Sequence, residues 1–472
     1  MRKTKIICTL GPSTDKDGVL EELVKEGLNV ARFNFSHGLH DEQKGRIDKL
    51  KEIRTRLNKP VAALLDTKGP EIRICEFADG KITLKEGQEF TLTADEIEGN
   101  EKIVSVTYKD LYKDVKPGNS ILIDDGLIGL EVKKIKGHDI VCTVINGGVL
   151  GNKKGVNLPG VEVNMPFISP KDHDDILFGI KEGYDFIAAS FTRTAADVKE
   201  IRDILVKNGG HDIKIIAKIE NQQGVDNIDS IIEAADGIMI ARGDMGVEIP
   251  LEDVPVIQKD IIAKVYSAGK QVITATQMLD SMIKNPRPTR AETTDVANAI
   301  YDGTSAVMLS GESAAGKYPV EAVEMMAKIA ERAEAAIDYK KNFFHYERAA
   351  NQNVTDAVCH AACTTAIDLN AAAVIIVTKS GVSARNISKY RPSCNIIAGT
   401  TSDKAYRQLN MSWGVTPVHL EEQNEVFTLF DHAVAAGKKQ GLLQPGDKVV
   451  IGAGVPLGIS GNTNMLKVQV VE

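Results

Sequence analysis

The sequence lacks any excess of positive charge. Its 472 residues include 57 Lys and Arg against 65 Asp and Glu, which gives a formal net charge of -8 at pH 7. Nucleic acids and anionic membranes attract proteins through basic surfaces, so this balance argues against both as general partners. It does not exclude a local basic pocket for a phosphorylated ligand.

Cysteines are few and scattered, at positions Cys8, Cys75, Cys142, Cys359, Cys363 and Cys394. Their spacing does not resemble a disulfide framework, so we expect a reducing compartment and a cytoplasmic protein. Cys359 and Cys363, with His360 between them, suggest a zinc site, but a second pair of ligands is missing. The Ala-rich surroundings favour two small buried residues on a helix instead.

Long apolar runs are also missing. The start, MRKTKIICTLG, has too short an apolar run for a signal peptide, and no stretch approaches the length of a membrane span. The hydrophobic fraction of 43% and the charged fraction of 26% are typical of a globular protein. A chain of this length predicts two to four domains.

What the sequence does contain is a repeated alternation of apolar strand, polar loop and amphipathic helix. Eight continuous apolar runs, typical of parallel strands buried on both faces, are predicted as strands at 5–10, 29–35, 61–66, 186–191, 214–220, 237–244, 271–277 and 305–311. Helical patterns separate most of them, for example at 41–57, 195–208, 250–269 and 319–337. Eight strand–helix units predict a closed (β/α)8 TIM barrel.

One connection interrupts this alternation. Between the third and fourth strands the chain has short alternating strands with Gly turns, which predict a small β-barrel domain inserted into a loop of the large barrel. Such an insertion either has no function or closes over the site as a lid, and its position favours the lid. After residue 337 the pattern predicts a C-terminal doubly wound α/β domain. The predicted domains are 1–69 with 169–340, 70–168, and 341–472.

Charged and polar side chains are concentrated where the predicted strands end. In a barrel of this kind the active site forms at the C-terminal ends of the strands. The residues expected there are Arg32, Asn34, Ser36, His37, Asp66, Thr67, Lys68, Arg73, Ser190, Lys218, Glu220, Arg242, Asp244, Thr276 and Glu312. Purely structural strand ends rarely carry so many charges of both signs.

Glu220 and Asp244 follow adjacent predicted strands, so their carboxylates can converge. Two carboxylates with open positions suit Mg²⁺ or Mn²⁺, and Gly243 lets the backbone approach a ligand closely. The alternative is a structural ion pair between Asp244 and Arg242 or Lys218. The repetition of carboxylates on neighbouring strands favours the metal.

Lys218 alternates with Glu220 along one strand, so both side chains face the same way. A cation beside a divalent ion stabilises the negative charge that develops in phosphoryl transfer or on an enolate. Arg32 and Arg73 offer bidentate contacts to phosphate.

The neighbouring strand ends bring together several oxygens, from Asn34, Ser36, Asp66 and Thr67. A hard monovalent cation prefers such ligands, although each residue alone is also typical of a cap or a turn. A hydroxyl near a strand end, as at Thr276, is more often structural.

With these residues the chain resembles the pyruvate kinase family along essentially its whole length. The matching stretches are TKIICTLGPS, NVARFNFSHG, LLDTKGPEIR, KGVNLPG, IAKIENQQGV, MIARGDMGVEIP, ATQMLDSM, PTRAETTDVANA and DGTSAVMLSGESAAGKYPVEAV. Several of them are long and specific to the family. The resemblance implies transfer of a phosphoryl group from phosphoenolpyruvate to ADP, giving pyruvate and ATP, by a homotetramer.

The resemblance also implies a role for each matching residue. Glu220 and Asp244 would bind Mg²⁺, and K⁺ would be bound by Asn34, Ser36, Asp66 and Thr67. Glu71 fits family members that need K⁺. The catalytic residues would be Lys218, Arg32, Arg73 and Thr276. Of these, Lys218 would stabilise the transferring phosphoryl group and the enolate, and Thr276 would lie in a water relay near the face where the enolate is protonated.

The same resemblance implies two binding sites. The substrate would contact Ala241, Arg242, Gly243, Asp244, Thr276 and Ser190, with the backbone of the first three facing its carboxylate. The nucleotide would lie near Asn34, His37, Arg73 and Lys154. Because Lys154 belongs to the inserted domain, this arrangement is consistent with a closing lid.

The C-terminal domain resembles the regulatory domain of the family. Its stretch TKSGVS contains Thr378, Lys379, Ser380, Gly381 and Ser383 between a predicted strand and helix. A hydroxyl-rich turn that opens a helix is either a plain turn or a phosphate cradle. With the resemblance we expect an effector site for fructose 1,6-bisphosphate, or for AMP and ribose 5-phosphate. The loop GAGVPLGISGNTN has no clear basic ligand for a second phosphate.

Two other functions remain open at this point. A Mg²⁺-dependent aldolase or carbon–carbon lyase would also hold Mg²⁺ against an enolate with Glu and Asp, but the inserted domain and LLDTKGPEIR count against it. A sugar-phosphate sensor that has lost the chemistry is the non-enzymatic alternative. It would have little reason to keep Lys218, Glu220, Asp244 and Thr276 together.

Overall fold

The computed structural model describes residues 1–345, 353–458 and 461–472. Eight parallel strands close into a barrel, in which the first strand pairs with both the second and the eighth. In chain order they are Lys5–Thr9, Val30–Asn34, Ala62–Asp66, Phe186–Ala189, Lys214–Ile219, Gly237–Ala241, Gln271–Ala275 and Ala306–Leu309. The predicted (β/α)8 barrel is confirmed.

Helices surround the barrel because its strands are apolar on both faces. They are Val19–Glu26, His40–Arg56, Pro170–Glu182, Ala195–Lys207, Gln222–Asp226, Ile228–Ala234, Arg242–Glu248, Val254–Ser267, Arg290–Asp302, Gly311–Ala314 and Pro319–Glu334, with a 3-10 turn at Asp280–Ile283. Their apolar faces pack with the outward side chains of the strands in one core. The inward side chains, among them Phe186 and Met239, fill the barrel interior.

Local sequence sets where several of these helices begin and end. The Ser169 side chain accepts a hydrogen bond from the Asp172 amide and is followed by Pro170, whose fixed φ suits the first helical position. Thr289 and Glu292 form a reciprocal capping box.

Seven of the eight barrel strands end before their predicted last residue, and the sixth and seventh show why. The strand expected at 237–244 ends at Ala241, and a helix begins at Arg242. The seventh strand ends at Ala275, so Thr276 lies beyond it, with a left-handed φ of 66°. In both cases the buried apolar run stops at an alanine, and the polar residue that follows turns out of the sheet.

A second sheet lies between the third and fourth barrel strands. The strands of this insert are Ile72–Arg73, Lys81–Leu84, Glu89–Thr93, Ile103–Ser105, Ser120–Ile123, Ile128–Lys136, Asp139–Asn146, Gly148–Gly151 and Gly155–Asn157, with a short helix at Leu111–Asp114. Seven of them form one sheet, whose edges meet where the Cys75 amide donates to the Ser105 carbonyl (2.8 Å). The sheet thus curls around its own apolar core as a small barrel.

The C-terminal part is a five-stranded sheet in the order Val415–His419, Asn395–Thr400, Ala373–Val377, Lys448–Ala453 and Met465–Val470, of which the last strand is antiparallel. Its helices are Tyr339–His345, Val354–Asp368, Val382–Lys389, Asp403–Leu409 and Val426–Lys439. Apolar cores lie on both faces of the sheet, which confirms the doubly wound α/β prediction. Helix Asp403–Leu409 and strand Val415–His419 were not predicted. The domain boundaries at residues 69/70, 168/169 and 340/341 stay predictions.

Cys359 and Cys363 are fully buried in one of these cores. Within the described ranges, no three His, Cys, Asp or Glu side chains are grouped to hold a metal ion. All six cysteines are free thiols. No helix in the described part of the chain is long and apolar enough to cross a membrane.

The C-terminal sheet closes the end of the barrel at which the strands begin. Met411 is fully buried and packs with the side chains that fill the barrel interior. Beside it, the Lys5 ammonium donates to the Val415 carbonyl (2.7 Å), and the Gly414 amide donates to the Lys3 carbonyl (2.8 Å). The interior core of the barrel is therefore completed by a residue from another part of the chain.

Replacing Met411 by Ala should lower the free energy of unfolding by about 2–5 kcal/mol, the usual cost of truncating a buried methionine. Urea unfolding of the intact chain, followed by circular dichroism, measures the change. Val206→Ala, at an exposed position of helix Ala195–Lys207, is the control and should change this free energy by less than about 0.5 kcal/mol. Equal stability of the two variants would contradict the role of Met411.

Candidate active site

A network of buried charges lies at the C-terminal ends of the second to fifth barrel strands. The Lys218 ammonium is 3.2 Å from Asp66 Oδ1 and 3.0 Å from Glu220 Oε1, and it donates to the Ser190 hydroxyl (2.8 Å). Arg32 Nε donates to the other oxygen of Asp66 (2.5 Å). The strand ends expected to form a site therefore meet in one cluster.

The charges in this cluster stabilise one another. Burial raises the pKa of the Asp66 carboxyl, but Arg32 and Lys218 outweigh it, and the pKa lies below its usual range. Burial likewise opposes the charge on Lys218, yet Asp66 and Glu220 raise its pKa above the usual value. Asp66 and Lys218 are therefore both ionised at neutral pH.

Glu220 differs from Asp66 because its negative charge is only partly compensated. Burial and the nearby Asp244 raise the pKa of its carboxyl, against the lowering effects of Lys218 and the Phe191 amide, which donates to Oε2 (2.6 Å). Oε1 is buried and accepts no hydrogen bond within the described part of the chain, although Lys218 is close enough for an ion pair. This oxygen has a lone pair available for a cation.

Asp244 lies on the seven-residue helix Arg242–Glu248, one turn beyond the sixth strand. The Arg242 guanidinium forms two hydrogen bonds to the Asp295 carboxylate, Nη1–Oδ1 of 2.7 Å and Nη2–Oδ2 of 2.6 Å. Lys218 is engaged by other carboxylates. The alternative prediction, an ion pair of Asp244 with Arg242 or Lys218, is therefore not what the structure shows.

Thr276 holds the start of the same helix. Its hydroxyl accepts a hydrogen bond from the Gly243 amide (2.7 Å) and donates to the Ala275 carbonyl (2.6 Å). The Thr276 carbonyl accepts from Arg242 Nη2 (3.0 Å). A threonine with positive φ is uncommon, and here that conformation turns both its hydroxyl and its carbonyl towards the helix.

The oxygens predicted to bind K⁺ lie on adjacent strand ends. Asn34 pairs with Asp66 in the strand register. Asn34 Oδ1 accepts from the Ser36 amide (3.0 Å), and Thr67 Oγ1 accepts from the Ser190 amide (3.1 Å). The side chains of Asn34 and Thr67 are thus fixed by hydrogen bonds from backbone amides.

The two basic residues predicted to contact the nucleotide are paired within the insert. Arg73 forms an ion pair with Glu71 and donates to the Lys153 carbonyl (2.6 Å). The Lys154 ammonium is 2.9 Å from Asp124 Oδ1. Both cations are paired with carboxylates of the insert. They would have to leave these ion pairs to bind phosphate.

His37 and Glu312, also expected at strand ends, have different surroundings. His37 is exposed in the turn after the second strand. Glu312 is buried and accepts hydrogen bonds from the Leu279 amide (3.0 Å) and the Ser310 amide (2.7 Å). Glu312 therefore has a structural role that holds the loops after the seventh and eighth strands together.

A cavity of about 240 Å³ lies between the large barrel and the insert. Glu71 and Asn157 line it from the insert, and Phe191, Asp244 and Glu248 line it from the barrel. Asp244 thus lies where the barrel faces the insert. The contribution of Glu248 was not predicted from the sequence, although it lies in the same motif as Asp244.

Part of the predicted effector site lines a second cavity, of about 440 Å³, in the C-terminal sheet. Thr378, Lys379 and Ser383 lie on one side of it, and Glu422 and Thr463 are among its other lining residues. The Ser383 and Thr463 hydroxyls are hydrogen-bonded to each other. The cavity therefore contains one cation and one carboxylate among these five side chains.

The turn that follows the central strand of this sheet is closed by its own hydroxyl. Thr378 Oγ1 accepts a hydrogen bond from the Gly381 amide (3.1 Å), and Gly381 has a left-handed φ of 80° at the start of helix Val382–Lys389. The Ser380 carbonyl accepts from Arg385 Nη1 (3.4 Å).

Comparison with known proteins agrees with this geometry. Family models described as pyruvate kinase, barrel domain, and pyruvate kinase, alpha/beta domain, match residues 1–323 and 356–469. The chain belongs to the pyruvate kinase family. It is therefore an enzyme, a phosphotransferase, and the resemblance noted in the sequence is confirmed.

Individual members of the pyruvate kinase family are similar over the whole chain. A pyruvate kinase of Clostridium acetobutylicum is 54% identical over the full length of both chains. One of Staphylococcus haemolyticus is 53% identical over all of this chain and 81% of its own. The crystal structure of a pyruvate kinase from Cryptosporidium parvum matches with a TM-score of 0.95 at 42% identity, and it covers 100% of this chain and 96% of that one.

Asp66→Asn should lower the free energy of unfolding by about 3–5 kcal/mol, because it leaves Arg32 and Lys218 as buried cations without their shared carboxylate. The stabilisation by Asp66 exists above the pKa of the unfolded carboxyl, about 3.9, and is lost as pH falls through the lower pKa of the folded state. Urea unfolding should thus show equal losses at pH 7 and pH 5.

The matched control is Asp48→Asn, which removes an exposed carboxylate paired with Lys44. Such surface pairs contribute less than about 1 kcal/mol. Similar losses of stability in the Asp66 and Asp48 variants would show that the buried charge network does not stabilise the fold more than a surface ion pair does.

Proposed function

We propose that the chain transfers the phosphoryl group of phosphoenolpyruvate to ADP, which gives pyruvate and ATP. The observation that carries this proposal is the buried ammonium of Lys218 beside Glu220, with Asp244 close enough to raise the pKa of Glu220. Phosphoryl transfer depends mainly on positioning and on neutralising charge. A fixed cation next to two carboxylates that can hold a metal supplies both.

Glu220 and Asp244 would hold Mg²⁺ or Mn²⁺. The fit is supported by the buried oxygen of Glu220 that accepts no hydrogen bond and by the mutual repulsion of the two carboxylates. Hard divalent cations prefer such oxygens and keep open positions for substrate. When bound, the ion would neutralise negative charge on the substrate oxygens.

Residues of the chain itself would bind and orient phosphoenolpyruvate. Arg32 and Lys218 would contact its phosphoryl group, and Lys218 would also stabilise the enolate oxygen. The carboxylate would face the backbone of Ala241, Arg242 and Gly243, where a helix begins. The first N–H groups of a helix lack helical partners, although that of Gly243 is bonded to the Thr276 hydroxyl. Ser190, which is hydrogen-bonded to Lys218, would complete this substrate site together with Asp244 and Thr276.

Protonation of the enolate is assigned to a water relay at Thr276. The Thr276 hydroxyl is bonded to the Gly243 amide and the Ala275 carbonyl. These bonds orient it, so its proposed role is to place water rather than to act as a base of its own.

K⁺ would bind to the oxygens of Asn34, Ser36, Asp66 and Thr67. A glutamate at position 71 is typical of family members that need K⁺.

The nucleotide would contact Asn34, His37, Arg73 and Lys154. Because Arg73 and Lys154 belong to the insert, closure of the insert would bring their charges to the phosphates. The present ion pairs with Glu71 and Asp124 would hold these side chains until then.

A phosphorylated metabolite would activate the enzyme from the C-terminal cavity, through Thr378, Lys379, Ser380, Gly381 and Ser383. Fructose 1,6-bisphosphate, AMP and ribose 5-phosphate are the candidates. Lys379 can pair with one phosphate, whereas Glu422 in the same cavity disfavours a second.

We further propose a homotetramer in the cytoplasm, where the six free thiols would stay reduced.

The direct test is pyruvate formation from phosphoenolpyruvate and ADP with Mg²⁺, in KCl and in NaCl, with and without each candidate effector. We expect turnover that needs Mg²⁺ and is much faster in KCl, and lower half-saturation for phosphoenolpyruvate with an effector. Turnover independent of K⁺ would refute the K⁺ site alone. Folded protein without turnover under any of these conditions would refute the proposed reaction.

Lys218→Met should reduce kcat by about 10²–10³-fold, the usual loss when one electrostatic stabiliser of a transition state is removed. Binding of Mn²⁺, followed by electron paramagnetic resonance, should be retained because Glu220 and Asp244 remain. Lys214→Met is the control, since Lys214 lies on the same strand but pairs with Asp236. A Lys218→Met enzyme as fast as this control would show that Lys218 has no catalytic role.

A further inference from the structure

The last strand of the insert is bonded to the helix that carries Asp244. Glu248 Oε1 accepts a hydrogen bond from Asn157 Nδ2 (2.8 Å) and another from the Leu158 amide (3.3 Å). Asn157 ends strand Gly155–Asn157. One carboxylate of the large barrel therefore holds both a side chain and the backbone of the insert.

A second part of the insert approaches the same helix. A Cβ placed on Gly126 would lie 3.9 Å from Val247 Cγ1. The neighbouring Asp125 lines the same cavity as Asp244. The insert thus bonds to Glu248 and lies close to the adjacent Val247, both at the C-terminal end of the helix.

The other end of the helix is fixed to the barrel. The Gly243 amide is bonded to Thr276, and Arg242 is bonded twice to Asp295. Asp244 therefore lies between an end fixed by the barrel and an end fixed by the insert. In this helix of only seven residues, Glu248 lies one turn from Asp244.

We infer that Glu248 is a positioning residue, which couples the position of the insert to the position of the metal ligand Asp244. The inference rests on the proposed function only for the identity of Asp244 as a metal ligand. Closure of the insert would then do more than cover the cavity, because it would also fix one of the two carboxylates. By reciprocity, a metal held by Asp244 would stabilise the closed insert.

The test uses Mn²⁺ binding by electron paramagnetic resonance and hydrogen exchange of the Leu158 amide, both on the full chain. In the unmodified chain, saturating Mn²⁺ should slow exchange at Leu158. In Glu248→Ala, the Kd for Mn²⁺ should rise about 10-fold, the usual effect of losing a residue that orients a metal ligand. Exchange at Leu158 should then no longer respond to Mn²⁺.

Three further variants separate coupling from general damage. Glu248→Gln keeps an oxygen acceptor for the Leu158 amide and should recover most of the Mn²⁺ affinity. Asn157→Ala should weaken Mn²⁺ binding less than Glu248→Ala and add little to it in the double variant, since both act through one contact. Glu252→Ala, an exposed carboxylate on the next turn, should change neither measurement.

The inference is overturned if Glu248→Ala binds Mn²⁺ as tightly as the unmodified chain. It is also overturned if Mn²⁺ leaves the exchange of Leu158 unchanged in the unmodified chain. Neither measurement uses turnover of phosphoenolpyruvate. Failure of the proposed reaction would therefore appear separately, as an inactive enzyme in which Mn²⁺ and the insert are still coupled.

Discussion

The carboxylate of Asp66 is the group on which the rest of the site depends. It is buried between the guanidinium of Arg32 and the ammonium of Lys218, and it compensates two charges that would otherwise be costly to remove from water. Lys218 is in turn held 3.0 Å from Glu220. The third barrel strand thus fixes a cation from the second strand and another from the fifth.

The second constraint is that the carboxylates near the cluster differ in how far their negative charge is compensated. Arg242 is paired with Asp295, outside the cluster, and therefore does not compensate the charge of Asp244. One carboxylate, Asp66, is fully compensated, whereas Glu220 keeps an oxygen without a hydrogen bond. The proposed divalent ion would bind at this oxygen of Glu220.

Much of the barrel could be predicted because each of its strands is a continuous apolar run. The two-residue period of a strand also places Lys218 and Glu220 on the same side. The residue at which the sixth strand ends could not be predicted. Helix Arg242–Glu248 has only seven residues, too few for a helical period to be recognised. Its start is set by contacts with Thr276 and Asp295, which are distant in sequence. Glu248 was missed for the same reason, since its partner Asn157 is 91 residues away.

The site residues were predicted from charges at predicted strand ends and from the family resemblance, and the structure brings Arg32, Asp66, Ser190, Lys218 and Glu220 together. Arg73 and Lys154 belong to the insert and form ion pairs there. No pattern within a single segment shows how a separate domain will sit above a barrel. Such a relation becomes visible only from long-range contacts.

Met411 has a consequence for the order in which the chain can assemble. The last side chain of the barrel interior comes from a segment that the ribosome makes after all eight barrel strands. In a nascent chain, the end of the barrel at which the strands begin therefore stays uncovered until synthesis of the C-terminal sheet is well advanced. During that interval its interior apolar residues stay accessible to water and to chaperones. Completion of the large barrel is thus tied to synthesis of the C-terminal part of the chain.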